Sequence, residues 1–157
     1  MSFERMGHGP LNYDLVSFEG TALGFRGPKP DLDAPFILCI GGSETFGKFA
    51  AAPFSAQLAE MTGRQVVNMG AMNAGLELVL HDAAVQDMMA RAELVVFQIM
   101  GAQNMTNRFY TVHPRRNDRF LKASTLLQTI YRNVDFTDFH FTRHMLTTLL
   151  KASPDRF

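Results

Sequence analysis

Pro35-Phe36-Ile37-Leu38-Cys39-Ile40-Gly41 runs straight into Gly42-Ser43-Glu44-Thr45-Phe46-Gly47, and the fold follows from that junction. The first half is a short continuous apolar run. A strand buried on both faces reads this way, whereas a half-exposed strand alternates. The second half is too rich in glycine for a helix interior, so it reads as the loop into which the strand empties.

Two similar units lie further along. Gln65-Val66-Val67-Asn68-Met69 is a second short strand closed by Gly70, and Glu93-Leu94-Val95-Val96-Phe97-Gln98-Ile99-Met100 is a third, followed by Gly101. Between the first two, Pro53 to Met61 carries Phe54, Leu58 and Met61 at helical spacing and stops at Gly63. Between the second and third, Asn73-Ala74-Gly75 leads into a helical stretch through Ala90, with Leu76, Leu80, Ala83, Ala84 and Met88 as its inner face. Strand, helix, strand, helix, strand predicts an α/β, three-layer sandwich. Its small parallel sheet is flavodoxin-like, with right-handed crossovers and helices on both faces.

The flanks are read around that core of residues 34–107. Residues 1–33 are punctuated by Gly7, Gly9, Pro10, Gly20, Gly24, Gly27, Pro28 and Pro30, and predict an extended arm pinned by Phe18, Leu23 and Phe25. Phe25-Arg26-Gly27-Pro28-Lys29-Pro30 reads as polyproline-like. Residues 108–157 read as a polar, basic loop followed by helices at Leu121–Tyr131 and Thr142–Ala152, with a short strand or turn between them. At 157 residues the whole is one domain, large enough to bury a core.

Composition narrows the function classes. Hydrophobic residues make up 46% and charged residues 19%, the balance of a globular chain. Lys+Arg is 15 and Asp+Glu is 15, so bulk charge offers no grip on nucleic acid or an anionic membrane. No apolar run approaches the ~18 residues of a membrane helix. Met1-Ser2-Phe3-Glu4-Arg5 does not open a secretory signal, so a cytoplasmic location is expected. The single Cys39 excludes an intrachain disulfide and a cysteine-built zinc site. Fourteen Phe and ten Met with no Trp read as a core filled by Phe and adaptable Met, or as a soft apolar pocket. No Walker loop or dinucleotide fingerprint occurs, and no cofactor or metal is expected.

In a parallel sheet ligands bind at the carboxyl ends of the strands. That edge collects Ser43, the Gly70–Asn73 loop and the Gly101–Asn104 loop. A serine hydroxyl, a glycine N–H and an asparagine amide are the parts of an oxyanion hole around a nucleophile. The three segments resemble the first three blocks of the SGNH (GDSL-like) hydrolase superfamily. The resemblance spans roughly Phe36 to Asn104 and implies Ser43 as nucleophile, with Gly70 and Asn104 completing the oxyanion hole. It implies a serine esterase, acyl hydrolase or O-acyltransferase-like protein acting on small O-acyl groups, carbohydrate esters among them. The chain also resembles an uncharacterised alphaproteobacterial family in which Phe25-Arg26-Gly27-Pro28 and His113-Pro114-Arg115-Arg116-Asn117-Asp118-Arg119-Phe120 recur.

Three departures from the superfamily pattern stand out. Gly42 replaces the usual aspartate before the serine, Met105 replaces the usual aspartate after Asn104, and no Asp-x-x-His pair is present. Two explanations are open: the chain stops before the last strands and the base, or His140 or His144 serves, oriented by Asp135 or Asp138. In the first case an incomplete sheet would expose an edge that a second copy covers, so a homo-oligomer is among the expected partners.

Arg108, His113, Arg115, Arg116 and Arg119 form the strongest local charge asymmetry. They read as a solvated loop, as partners of Asp118, Asp135 and Asp138, or as a clamp for an anionic group. The clamp supports a second function, a non-catalytic binding or assembly module in which Gly42, Asn73, Arg115 and Arg116 contact the ligand. His140 and His144 sit at metal-ligand spacing only if their stretch is helical.

Overall fold

The computed structural model describes residues 13–157, so Gly7, His8, Gly9 and Pro10 lie outside the described residues. The arm enters as a two-stranded ribbon, β1 (Leu15–Val16) antiparallel to β2 (Phe25–Arg26). Phe25-Arg26 is therefore paired strand and not polyproline-like. Phe18, Leu23 and Phe25 are buried in the main core. Arg26 is buried too: its guanidinium lies over the Tyr13 ring and donates to the carbonyls of Gly47 and Ala51.

The parallel sheet comes next. In chain order its elements are β3 (Ile37–Gly41), α1 (Ser43–Phe46), α2 (Phe54–Thr62), β4 (Val66–Gly70), α3 (Leu76–His81), α4 (Ala83–Arg91) and β5 (Leu94–Phe97). The strand order is β4-β3-β5, all parallel, with Ile37 opposite Val66 and Leu94. All of β3 is buried, which is why its residues show no alternation. Leu38 and Ile40 join Val79, Val85 and Met88 of α3 and α4 in one cluster. Cys39 shares the opposite face with its register partner Asn68, whose amide donates to Ser55 of α2 at 2.9 Å. Helices thus flank the sheet on both sides.

Several local expectations shift. Gly42 to Gly47 holds a helical turn, because its glycines fall at the two ends: Gly42 precedes α1 and Gly47 closes it at φ 72°. The helix expected through Ala90 is broken at Asp82, which caps α4 by accepting the Val85 N–H at 3.1 Å and also takes the Thr21 hydroxyl at 2.6 Å. Val79 and Val85 turn inward where Leu80 and Ala83 were expected. In α2 the buried position is Ser55, while Phe54 and Met61 face out, Met61 at 84% exposure. Apolar spacing locates a helix, but the face that turns in is the one whose Ser55 takes the hydrogen bond from Asn68.

The basic stretch is a hairpin, β6 (Tyr110–His113) with β7 (Arg116–Ala123). Only Thr125–Ile130 of the next expected helix is helical (α5), capped by Ser124, because Leu121 and Lys122 still belong to the strand. A 3-10 turn at Phe136–Asp138 leads to α6 (Thr142–Ala152), whose bounds are those expected. These elements enclose a second core of Tyr110, Val112, Phe120, Leu127, Met145 and Leu149, separate from the first. No helix among the described residues is long and apolar enough to cross a membrane. The outer edge of β5 pairs with no described strand, and Leu94, Phe97 and Ile99 are exposed there.

Two measurements test this packing. A Cβ on Gly70 would lie 2.6 Å from the Thr45 carbonyl carbon and 2.8 Å from Phe46 Cα, backbone that cannot step aside. Gly70→Ala should therefore cost about 1–3 kcal/mol and lower the Tm by roughly 3–10 °C in differential scanning calorimetry. Burial pushes the Cys39 thiol up to about 11. It should resist a thiol-specific disulfide reagent at pH 8 in the native state and react at once in denaturant.

Candidate functional site

Glycine ends both β3 and β4, and the two lie opposite each other as Gly41 and Gly70. Their missing side chains let α1 sit directly on the carboxyl edge of the sheet. A Cβ on Gly41 would come within 2.6 Å of Gln98 Cβ. Ser43, the first residue of α1, is partly exposed at that edge.

Two side-chain amides hold the turn from either side. Gln98, just past β5, accepts the Gly42 N–H at 2.9 Å and the Thr45 hydroxyl at 2.7 Å, and donates to Glu44 at 2.9 Å. Asn68 of β4 donates to the Thr45 carbonyl at 2.8 Å and accepts the Gly70 N–H at 2.9 Å. Gly70 is therefore close to the turn, but its N–H is already engaged. The donor that reaches Ser43 is the N–H of Asn73, 3.0 Å from Oγ. Asn73 has φ 58°, a left-handed geometry that asparagine tolerates better than most residues, and this aims its N–H back at Ser43.

From Asn73 the site continues into the hairpin. Asn117 donates through its backbone to the Asn73 carbonyl at 3.2 Å and through its side chain to that of Ala74 at 3.0 Å. Gly75 donates to the Pro114 carbonyl at 2.8 Å. The result is a hollow of about 750 Å³ lined by Asn73, Arg116, Asp118, Arg119, His140 and Phe141. Asp118 and Phe141 also line an adjoining hollow of about 680 Å³, and Asn104 lies there. Its 3-10 turn, Ala102–Asn104, is tied down by the Tyr110 hydroxyl donating to Gln103 at 3.1 Å.

The expected residues are thus brought together in part. Ser43, Gly42, Gly70 and Asn73 share the sheet edge. Arg116 and His140 share the hollow with Asn73, and Asn104 stands one hollow away. Arg115 sits in the exposed hairpin turn, where its N–H donates to His113 Nδ1 at 3.1 Å, and Arg119 takes the place expected of it. His140 precedes α6, so it and His144 do not lie on one helix, and the described residues hold no cluster of three metal-ligating side chains. Asp135 does not orient a histidine, because its Oδ1 accepts the N–H and hydroxyl of Thr137. Among the described residues Ser43 Oγ makes no hydrogen bond to an imidazole. Arg108, Arg115, Arg116 and Arg119 form no ion pair with any described residue. Gln98 and Asn117 were not singled out in the sequence. The one signal for Gln98 is an amide at the end of an apolar strand.

Fold and site define a mixed α/β protein with a serine-bearing turn at the carboxyl edge of a parallel sheet. The chain belongs to the family described as Domain of unknown function (DUF6473), whose model matches residues 1–157. Searches among curated proteins and among solved structures found no match.

Glu77 carries a pH signature for the junction between the two cores. Its Oε1 accepts the Thr106 N–H at 2.7 Å, while Oε2 is buried without a partner among the described residues. Burial opposes its ionisation, but hydrogen bonds from Thr106 outweigh that and hold the carboxyl below its ordinary range. A lowered folded-state value stabilises the fold above the unfolded value of about 4.3, and the gain is lost as pH falls through the folded one. In chemical denaturation, Glu77→Gln should be less stable than the parent at pH 7, and the difference should close toward pH 3.

Proposed function

We propose that this protein is a serine-dependent esterase or acyl transferase of the SGNH type, acting on small O-acyl groups, including those carried by carbohydrate. The observation that supports it best is the pairing at the sheet edge. A partly exposed serine lies past a fully buried strand, with the Asn73 N–H 3.0 Å from its Oγ, and Asn73 in turn lines a hollow that His140 also lines. Because Ser43 Oγ accepts a hydrogen bond there, its own proton is left for a base.

In this reading Ser43 Oγ bonds to the acyl carbon and the carbonyl π electrons move onto oxygen. His140, the imidazole lining the hollow, takes the hydroxyl proton. The N–H of Ser43 serves the developing charge, and that of Asn73, which rests on Oγ, passes to the new oxyanion as Oγ bonds to carbon. Asn73 fills the role that the resemblance assigned to Gly70, whose N–H is held by Asn68. Collapse of the intermediate expels the alcohol with the proton from His140. Water, or a second alcohol in a transfer reaction, then releases the acyl group.

The test is turnover of p-nitrophenyl acetate by the purified chain and by Ser43→Ala and His140→Ala. Both variants should lose at least about 10³-fold in kcat/KM. A fluorophosphonate probe should add its mass to Ser43 in the parent alone. Turnover unchanged in Ser43→Ala would sink the proposal.

A further inference from the structure

The register of the hairpin has an irregularity with a chemical result. Val112 pairs with Phe120, but the next residue, His113, pairs with Arg116, so Asn117, Asp118 and Arg119 face no partner on β6. In a regular strand residues three apart point to opposite faces, and Arg116 and Arg119 would be separated by the sheet. The three-residue bulge cancels that alternation, and both arginines line the hollow beside Asn73.

The bulge is held at every residue. Asn117 is bonded to the Asn73–Ala74 loop, the buried Thr142 donates to the Asp118 carbonyl at 3.2 Å, and Arg119 forms an isolated bridge to Phe141. Next to it, Phe120 donates to the His140 carbonyl at 3.0 Å, which fixes His140 in the same wall. The lining therefore counts two arginines and a histidine against one acidic residue, Asp118. Neither arginine donates a side-chain hydrogen bond or forms a salt bridge to any described residue.

We infer that the hollow is an anion subsite, and that the substrate of the proposed esterase carries a carboxylate, sulfate or phosphate group gripped by Arg116 and Arg119. Guanidinium forks match the oxygens of such groups two at a time. The substrate assignment rests on the esterase reading, whereas the subsite itself does not. Asn73 is the residue common to the subsite and the serine, since it lines the hollow and its N–H reaches Ser43 Oγ, so the class proposed is esters with the anionic group on the acyl or sugar part, such as hemiesters of short dicarboxylic acids and acylated phospho- or sulfo-sugars.

The experiment separates the two claims. Ser43→Ala protein, which cannot turn over, is titrated calorimetrically with inorganic phosphate, sulfate and succinate. At least one should bind, and its affinity should fall as salt rises. Arg116→Ala/Arg119→Ala in the same background should weaken that binding about tenfold or more, while Arg115→Ala, in the turn outside the hollow, should retain it. The strongest of the three probes names the anionic group. In the active chain, the ratio of kcat/KM for p-nitrophenyl hemisuccinate to that for p-nitrophenyl acetate should fall about tenfold in the double variant. Circular dichroism confirms that each variant is folded. No binding of any probe at 10 mM, or equal weakening by Arg115→Ala, overturns the subsite. Binding that behaves as expected in a chain that hydrolyses neither ester overturns the esterase reading and leaves the subsite standing.

Discussion

A strand paired along both edges and covered on both faces has no room to adjust, and β3 is in that position. Its register with β4 and β5 puts Gly41, Gly70 and the residue after Phe97 at one level. The chain must leave β3 at that level and turn without intruding on its neighbours. Glycine at Gly41 and Gly70 is the steric answer, because side chains at either position would occupy the space of Gln98 or of the α1 backbone. Ser43 is presented to solvent because the strand before it cannot move.

Burying the end of a parallel sheet leaves backbone donors with no strand to pair with, and each must be satisfied. Gln98 and Asn68 do this from opposite sides, one on the Gly42 N–H and the other on the Gly70 N–H and the Thr45 carbonyl. Both amides use donor and acceptor ends at once, so the turn is held by directional bonds as well as by packing. The same arrangement decides which N–H is left for Ser43. Once Asn68 has taken that of Gly70, the one that reaches Ser43 Oγ is that of Asn73.

Much of this was legible in the residues. Buried parallel strands write themselves as apolar runs ending in glycine, so β3, β4 and β5 could be read directly. The bounds of α6 follow from its spacing of Met145 and Leu149. The hairpin was hidden for a physical reason: its register shifts twice, so β7 never shows the period of two that marks a strand. The site was half legible. Ser43 and its neighbours follow from topology. Which N–H reaches Ser43 depends on one backbone angle and one side-chain bond, and which arginines line the hollow depends on how many residues the bulge holds. None of these is a property of a residue type.

Two separately packed cores meet at this groove, one carrying the nucleophile candidate and the other the arginines and the imidazole. The groove therefore depends on the contacts that join the two cores. Beside the Thr106–Glu77 bond, three hydrogen bonds, from Asn117 twice and from Gly75 once, work there like dowels between two machined parts. All three end on the short stretch from Asn73 to Gly75. Outside β3 and its glycine ends, a substitution within either core acts first on its own packing, while a change at the joint acts on distances across the groove. Tolerance to mutation in this protein should follow distance from that seam more closely than depth of burial.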